Sequence, residues 1–280
     1  MKILVTGGSG YLGSFVREFF GAQDFSRRGT FDILDSQVAA KTAVYDAVIH
    51  LAAHFDKSPE GAPECFRTNA EGTANVIRHM KPGAVFVYAS TKDVYGSHAS
   101  GMEEVDETTS TEYCGQSAFE WSKLIGERYV EYYARRQNVR AAIFRLSTVY
   151  ARPSYENQPG VITHYVESIK RHMPIRLPEG VDPVRDILYV DDFSRACQAF
   201  LNSKVQFGLY NVGGGPMNAV SVRDLLKKVG AMIDIEPIIE EDPAMPAPVP
   251  LRYVSNISRI SDELGWQPQI GVDDGLRVIL

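Results

Sequence analysis

An α/β fold built on a doubly wound parallel sheet is what this sequence predicts, and three observations predict it. Short apolar, largely aliphatic runs at residues 2–6, 46–53 and 84–90 alternate with segments of helical spacing. A glycine-rich turn joins the first run directly to the first helical segment. The 280 residues, 44% hydrophobic, suffice for one large α/β unit with a smaller partner domain.

The turn is Gly7-Gly8-Ser9-Gly10-Tyr11-Leu12-Gly13. Between a strand and a helix, its glycines have separate tasks: Gly7 permits the tight turn, Gly10 admits a pyrophosphate, and Gly13 lets helix and strand pack closely. The helix start then offers free N–H groups and a positive dipole end. A dinucleotide is the expected ligand, although the spacing Gly7-x-x-Gly10-x-x-Gly13 differs from the commonest pattern.

Composition narrows the partners. The net charge is −6 and the basic residues are dispersed, so no nucleic-acid partner is expected. No apolar run is long enough to span a bilayer, so no membrane partner is expected either. Cys65, Cys114 and Cys197 lack metal-site spacing, and no metal is expected. With the first strand starting at residue 2 and no secretory segment before it, a reduced cytoplasmic setting is the expectation.

Residues 23–28 leave room for only a stunted second strand. A dinucleotide site usually places an acid about 20 residues past the glycines to hold the ribose hydroxyls. Asp24 lies nearer than that, whereas Ser26, Arg27 and Arg28 suit a ribose 2′-phosphate. Both NAD and NADP stay open. Residues 31–35 read as a third short strand end, with Asp32 and Ile33 beside the adenine. The run at 46–53 ends in Leu51, Ala52 and Ala53, which let the cofactor lie against the strand's carboxyl end. His50 and His54 lack an accompanying acid or nucleophile and read as structural. Residues 69–77 form a helix facing the sheet.

At this point the chain resembles the extended short-chain dehydrogenases/reductases, the NAD-dependent epimerase/dehydratase family acting on nucleotide sugars. Three similar stretches are Val5-Thr6-Gly7-Gly8-Ser9-Gly10-Tyr11-Leu12-Gly13, His50-Leu51-Ala52-Ala53 and Ser90-Thr91-Lys92-Asp93-Val94-Tyr95-Gly96. Arg145-Leu146-Ser147-Thr148-Val149-Tyr150, Val184-Arg185-Asp186-Ile187-Leu188-Tyr189-Val190-Asp191-Asp192, Tyr210-Asn211-Val212-Gly213-Gly214-Gly215 and Leu264-Gly265-Trp266-Gln267-Pro268 follow in order. The resemblance implies a Rossmann-type domain over 1–150 and 186–205 and a smaller C-terminal substrate-binding domain over 151–185 and 206–280. It also implies NAD or NADP as cofactor, a nucleotide-sugar substrate and a homodimer. Tyr11, Leu12, Lys123 and Val149 join the cofactor contacts on the same ground.

The family's catalytic set is a Ser or Thr after the strand ending at Ser90, then Tyr-x-x-x-Lys on the next helix. Four-residue spacing puts the pair on one face, where the ammonium lowers the phenol's pKa for proton transfer. Thr91 and Lys123 match. Where the tyrosine belongs stands Phe119, which has no proton to exchange. Three readings stay open: a residue changed to trap a ligand, a natural variant using another group, or a binding relative without turnover. Asp93 is a candidate substitute, since dehydratase and decarboxylase relatives carry a carboxylate there. Lys92 occupies a position where 4,6-dehydratases have aspartate. Tyr113 and Cys114 are further candidates, against plain roles as a loop tyrosine and a buried thiol.

The helix over 117–136 carries Trp121, Leu124, Ile125, Tyr129, Tyr132 and Tyr133, more apolar surface than one core stripe needs. In relatives such helices pair in a dimeric four-helix bundle. On the substrate side, residues 161–172 read as a helix and 174–177 as a strand. Arg185 falls where relatives bind the substrate pyrophosphate, a task suited to a guanidinium fork, with a salt bridge to Asp186 as the alternative. Arg252 is a second candidate. The strand through Tyr189 is expected to enter an N-capped helix, and Ser221 to cap another. The proline-rich 243–250 reads as a loop against the cleft or a plain extended connection. The expected chemistry is oxidation of a sugar carbon followed by epimerisation or elimination. A ketosugar reductase and a non-catalytic binder are the alternatives.

Overall fold

The computed structural model describes residues 1–27, 31–153 and 160–280. In chain order the first half comprises β1 (Ile3–Thr6), α1 (Tyr11–Phe20), β2 (Gln23–Phe25), α2 (Ser36–Ala39), β3 (Ala47–His50), α3 (Ala62–Cys65), α4 (Thr73–Ile77), β4 (Val85–Thr91), α5 (Ala118–Gln137) and β5 (Arg140–Leu146). The second half adds β6 (Thr148–Tyr150), α6 (Val161–Lys170), β7 (Ile175–Pro178), β8 (Val184–Tyr189), α7 (Val190–Asn202), β9 (Phe207–Val212), β10 (Ala219–Ser221), α8 (Val222–Ile233), β11 (Ile239–Asp242), β12 (Arg252–Tyr253), α9 (Ser258–Leu264) and α10 (Val272–Ile279).

Six parallel strands form the main sheet in the order β2-β1-β3-β4-β5-β9. Their side chains alternate between two cores, as strand geometry requires. Leu4, Val48, Phe86 and Ile143 face the layer containing Val76 of α4 and Val130 of α5. Val5, Ile49, Val87 and Phe144 face the layer containing Val16 of α1 and Phe193 of α7. Both faces are therefore covered, which is why these strands read as unbroken apolar runs. The smaller sheet pairs β8 with β10, β12 and β6, and β7 pairs with β11 beside it.

Local signals placed two of the longer helices. Ser117 and Glu120 form a full capping box at the start of α5, and left-handed Asn138 ends it. Ser221 caps α8 through the Asp224 N–H.

Several expectations need correction. Residues 31–35 are not a strand: Asp32 accepts the Leu34 N–H and Asp35 those of Gln37 and Val38, so local turns displace sheet pairing. No side chain caps α7; Asp192 instead accepts the backbone N–H groups of Gln269 and Ile270 and pins the C-terminal segment. β9, assigned to the smaller domain, pairs with β5 as the edge of the main sheet. β8, whose last residues were assigned to the larger domain, lies in the small sheet. Arg28 lies outside the described residues, as do residues 154–159.

Candidate active site

The β1–α1 turn is built for close approach. Gly7 has φ of 70°, and a Cβ there would lie 2.7 Å from the Ala52 nitrogen. A Cβ on Gly13 would lie 2.0 Å from the Gly7 carbonyl oxygen. Gly10 occupies the N-cap of α1 in extended conformation with no side-chain cap, which leaves the first-turn N–H groups for an anion. Beside the turn is a cavity of about 270 Å³, lined by Gly7, Gly10, Ser26, Arg27, Ile33, Leu51, Ala52 and Ala53 among others. Its shape and donors fit a dinucleotide: a tight glycine turn, a helix start, and small residues at the end of β3.

The side chains of three expected cofactor contacts make bonds within the protein, while the backbone N–H groups of Tyr11 and Leu12 belong to the uncapped first turn of α1. Asp24 lies against the turn, where a Cβ on Gly8 would fall 2.5 Å from its Oδ1, an oxygen buried without a hydrogen-bond partner among the described residues. Its Oδ2 accepts from the Ser26 hydroxyl at 2.8 Å and lies 3.7 Å from Arg17. Asp32 is spent on the Leu34 N–H. Tyr11 opens α1, but its hydroxyl accepts the Ala151 N–H at 2.8 Å and meets Thr163 Oγ1 at 2.8 Å, tying the turn to the second half of the chain. Leu12 and Val149 pack against the core cluster of the α1 side. Arg27 reaches the cavity, yet its guanidinium is engaged by Glu64 at 2.7 Å and by Asp32 at 3.7 Å.

Thr91 ends β4, and Phe119 and Lys123 stand one turn apart near the start of α5, which reaches β4 through Lys123. Lys123 is buried, and its Nζ donates to the Ala89 carbonyl at 2.8 Å. Burial lowers its pKa to about 8, with the Glu127 charge opposing the shift. Phe119, one turn earlier, is 6% exposed and packs edge-on against Phe55 at 4.7 Å. Thr91 Oγ1 accepts the Asp93 N–H at 3.2 Å.

Asp93 is not a free base. Lys57 Nζ donates to its Oδ2 at 2.7 Å, and Lys92 binds its other oxygen. Burial alone would raise its pKa; the two ammonium groups reverse this and hold it well below the usual carboxylate range. Lys57 also pairs with Glu120 Oε1 at 2.7 Å and lies 5.9 Å from the centre of the Phe119 ring. Sequence reasoning missed Lys57 because Asp93 is 36 residues away and no local pattern joins them.

Arg145 and Glu127, also missed, form a bidentate pair beneath Lys123, and the Ser90 hydroxyl donates to Glu127. Of the other candidates, Tyr113 is 70% exposed and stacks on Trp121. Cys114 accepts the Ser97 N–H at 3.2 Å. His50 bridges Thr6 and Thr73 through its two ring nitrogens, and burial lowers its pKa to about 3.

A second cavity of about 290 Å³ lies on the smaller-sheet side, with Tyr165, Arg176, Leu177, Arg185, Met245 and Pro246 in its wall. The proline-rich segment thus lines a cleft. Arg185 donates to the carbonyls of Val184, Leu251 and Pro250. It does not pair with Asp186, which binds Ser147 Oγ and the N–H groups of Gly215 and Ser255. Arg252 stands apart from this wall, exposed, with its Nε 3.4 Å from the Glu103 carbonyl. Among the described residues no acidic, His or Cys cluster has a metal-holding arrangement, and no helix is long and apolar enough to cross a membrane.

Comparison with known proteins gives a consistent result. The sequence pattern of the NAD dependent epimerase/dehydratase family matches residues 3–213. The chain is 28% identical to dTDP-glucose 4,6-dehydratase 1 of Escherichia coli K12, covering 99% of this chain and 91% of that protein. It is 25% identical to CDP-paratose 2-epimerase of Salmonella typhi, covering 99% and 97%. Its fold superposes on UDP-glucuronic acid 4-epimerase from Bacillus cereus, solved with UDP-glucuronic acid and NAD, with a TM-score of 0.85 at 22% identity over 100% of this chain and 98% of that one.

Proposed function

This chain belongs to the NAD dependent epimerase/dehydratase family, and we propose that it is a nucleotide-sugar oxidoreductase whose proton-transfer step does not run through position 119. The observation that carries this reading is the pairing of a complete glycine cradle, Thr91 and Lys123 with a buried Phe119 in place of a phenol. The α1 N-terminus would hold the cofactor's pyrophosphate, and Ser26, Ile33 and Leu51–Ala53 its adenosine half. When bound, the nicotinamide supplies the hydride acceptor or donor. Lys123 would orient the adjoining ribose through N–H groups not used on Ala89, and Thr91 would hold the reacting sugar oxygen. Arg185, in the wall of the second cavity, would meet the sugar nucleotide's phosphates from the smaller body.

NAD is the cofactor expected from the family. A ketosugar reductase using NADP is the second reading, favoured by Ser26 and Arg27 in the cavity wall. Dimerisation through α5 is proposed on the exposure of Tyr129 and Tyr132 along one side of that helix.

The test compares the protein with Phe119→Tyr on a panel of nucleotide sugars with each cofactor, reading products by NMR. Turnover by the tyrosine form alone means the phenol route has been disabled. Turnover by both means another group moves the proton. Binding without turnover in either identifies a binding protein.

A further inference from the structure

Phe55 covers position 119, and beside it stands a group that carries protons. Phe119 is 6% exposed beneath Phe55. Lys57, from the same loop as Phe55, places its Nζ 5.9 Å from the ring centre, 2.7 Å from Asp93 Oδ2 and 2.7 Å from Glu120 Oε1. We propose that Lys57 is the proton donor of this site, in place of the missing phenol, and that its substrate is a nucleotide-linked ketosugar whose carbonyl becomes a hydroxyl. The proposal rests on the reading above that the cleft takes a nucleotide sugar beside a nicotinamide.

Two carboxylates from different elements, one after β4 and one in the first turn of α5, converge on a single ammonium. Burial works against its charge, but Asp93 and Glu120 outweigh it and hold the group above the usual lysine range. An ammonium that donates to two carboxylates at 2.7 Å each has no lone pair to offer a hydroxyl proton, so it cannot begin an oxidation. It can complete a reduction by giving one. Asp93 does not compete for that proton, because Lys92 binds its second oxygen and keeps it anionic.

Reduction of a carbonyl needs a hydride at carbon, which a reduced nicotinamide supplies when bound, and a proton at oxygen. As the C–H bond forms, the π pair moves onto oxygen, and an Nζ–H of Lys57 is transferred to make the O–H bond. The neutral amine left between two carboxylates regains a proton from water, to which the side chain is 46% exposed.

The test uses the cofactor-loaded protein with dTDP-4-keto-6-deoxyglucose as probe, NADH or NADPH as reductant, and calorimetry for ketosugar binding. Wild type is expected to oxidise a reduced cofactor. Lys57→Met should lose about 100-fold or more in kcat, the scale of a general acid, with the ketosugar's Kd essentially unchanged. Lys57→Arg keeps the charge but cannot release a proton near neutral pH, so it should be equally slow. Phe119→Tyr in the Lys57→Met background should restore turnover and shows that the site is still folded. Wild-type rates in Lys57→Met or Lys57→Arg overturn the proposal, as does absence of turnover by wild type that binds both ligands. Failure to bind the ketosugar or the cofactor at all overturns the nucleotide-sugar reading itself.

Discussion

Arg145 of β5 and Glu127 of α5 meet in a bidentate ion pair, at 3.0 and 2.7 Å, with the two side chains only 4% and 5% exposed. The pair locks α5 to the sheet one turn beyond Lys123 and supplies the negative charge that opposes Lys123's desolvation. Breaking such a pair costs more than the pair is worth, because one charge is left buried alone. Glu127→Ala or Arg145→Ala is expected to destabilise the fold by about 3–5 kcal/mol. Replacing both residues with apolar side chains of similar volume should cost far less. Urea melts of the singles and the double decide this; equal losses in all three would sink the argument.

Gly13→Ala sets helix propensity against packing. Propensity alone favours alanine by about 1 kcal/mol. The new Cβ would fall 2.0 Å from the Gly7 carbonyl oxygen, inside any tolerable contact, so the turn must open. Dinucleotide affinity should drop at least about tenfold and thermal stability should fall, as read by calorimetry and a melting curve. A more stable variant with unchanged affinity would contradict the cradle.

His50 makes the protein acid-sensitive in a defined window. Burial depresses its folded-state pKa from 6.5 to about 3, so the unfolded chain binds the extra proton between those values. Its contribution is fully present above pH 6.5 and is lost as pH falls toward 3, at up to about 1.4 kcal/mol per pH unit. His50→Gln should be less stable at pH 7, through the altered Thr6 and Thr73 hydrogen bonds, and should show a shallower loss between pH 6 and 4. Denaturant unfolding at a series of pH values tests this; parallel acid limbs would rule out His50 as the cause.

On the NADP reading, Glu64 limits how freely Arg27 meets a ribose 2′-phosphate, because the two side chains pair at 2.7 Å. The Arg27–Glu64 pair is partly exposed and worth no more than about 1 kcal/mol. Glu64→Gln should therefore tighten NADP binding by up to about fivefold and leave NAD binding unchanged. Arg27→Ala should weaken NADP alone. Equal effects on both cofactors would place Arg27 away from the 2′ position.

Much of this protein was legible in its sequence because the physics involved is local. The apolar runs of β1, β3 and β4 announce strands buried on both faces. The glycines before α1, the Ser117 capping box and the Ser221 cap act within a few residues. The absence of a hydroxyl four residues before Lys123 is visible in the sequence itself. The strand expected at 31–35 failed because aspartate side chains there satisfy backbone N–H groups that a strand would have paired. Asp24 was found in the right strand, but the direction of its side chain depends on Gly8, Ser26 and Arg17 packing around it. β9 was assigned to the wrong body because a strand's partner is chosen by the whole sheet. Sequence alone thus determined the α/β class, the glycine turn and the phenylalanine four residues before Lys123. Only the tertiary structure decided that Lys57, Asp93 and Glu120 share one site and that Arg145 finds Glu127. Such pairings offset the cost of removing charge from water only when folding brings distant segments together, so no local pattern of residues records them.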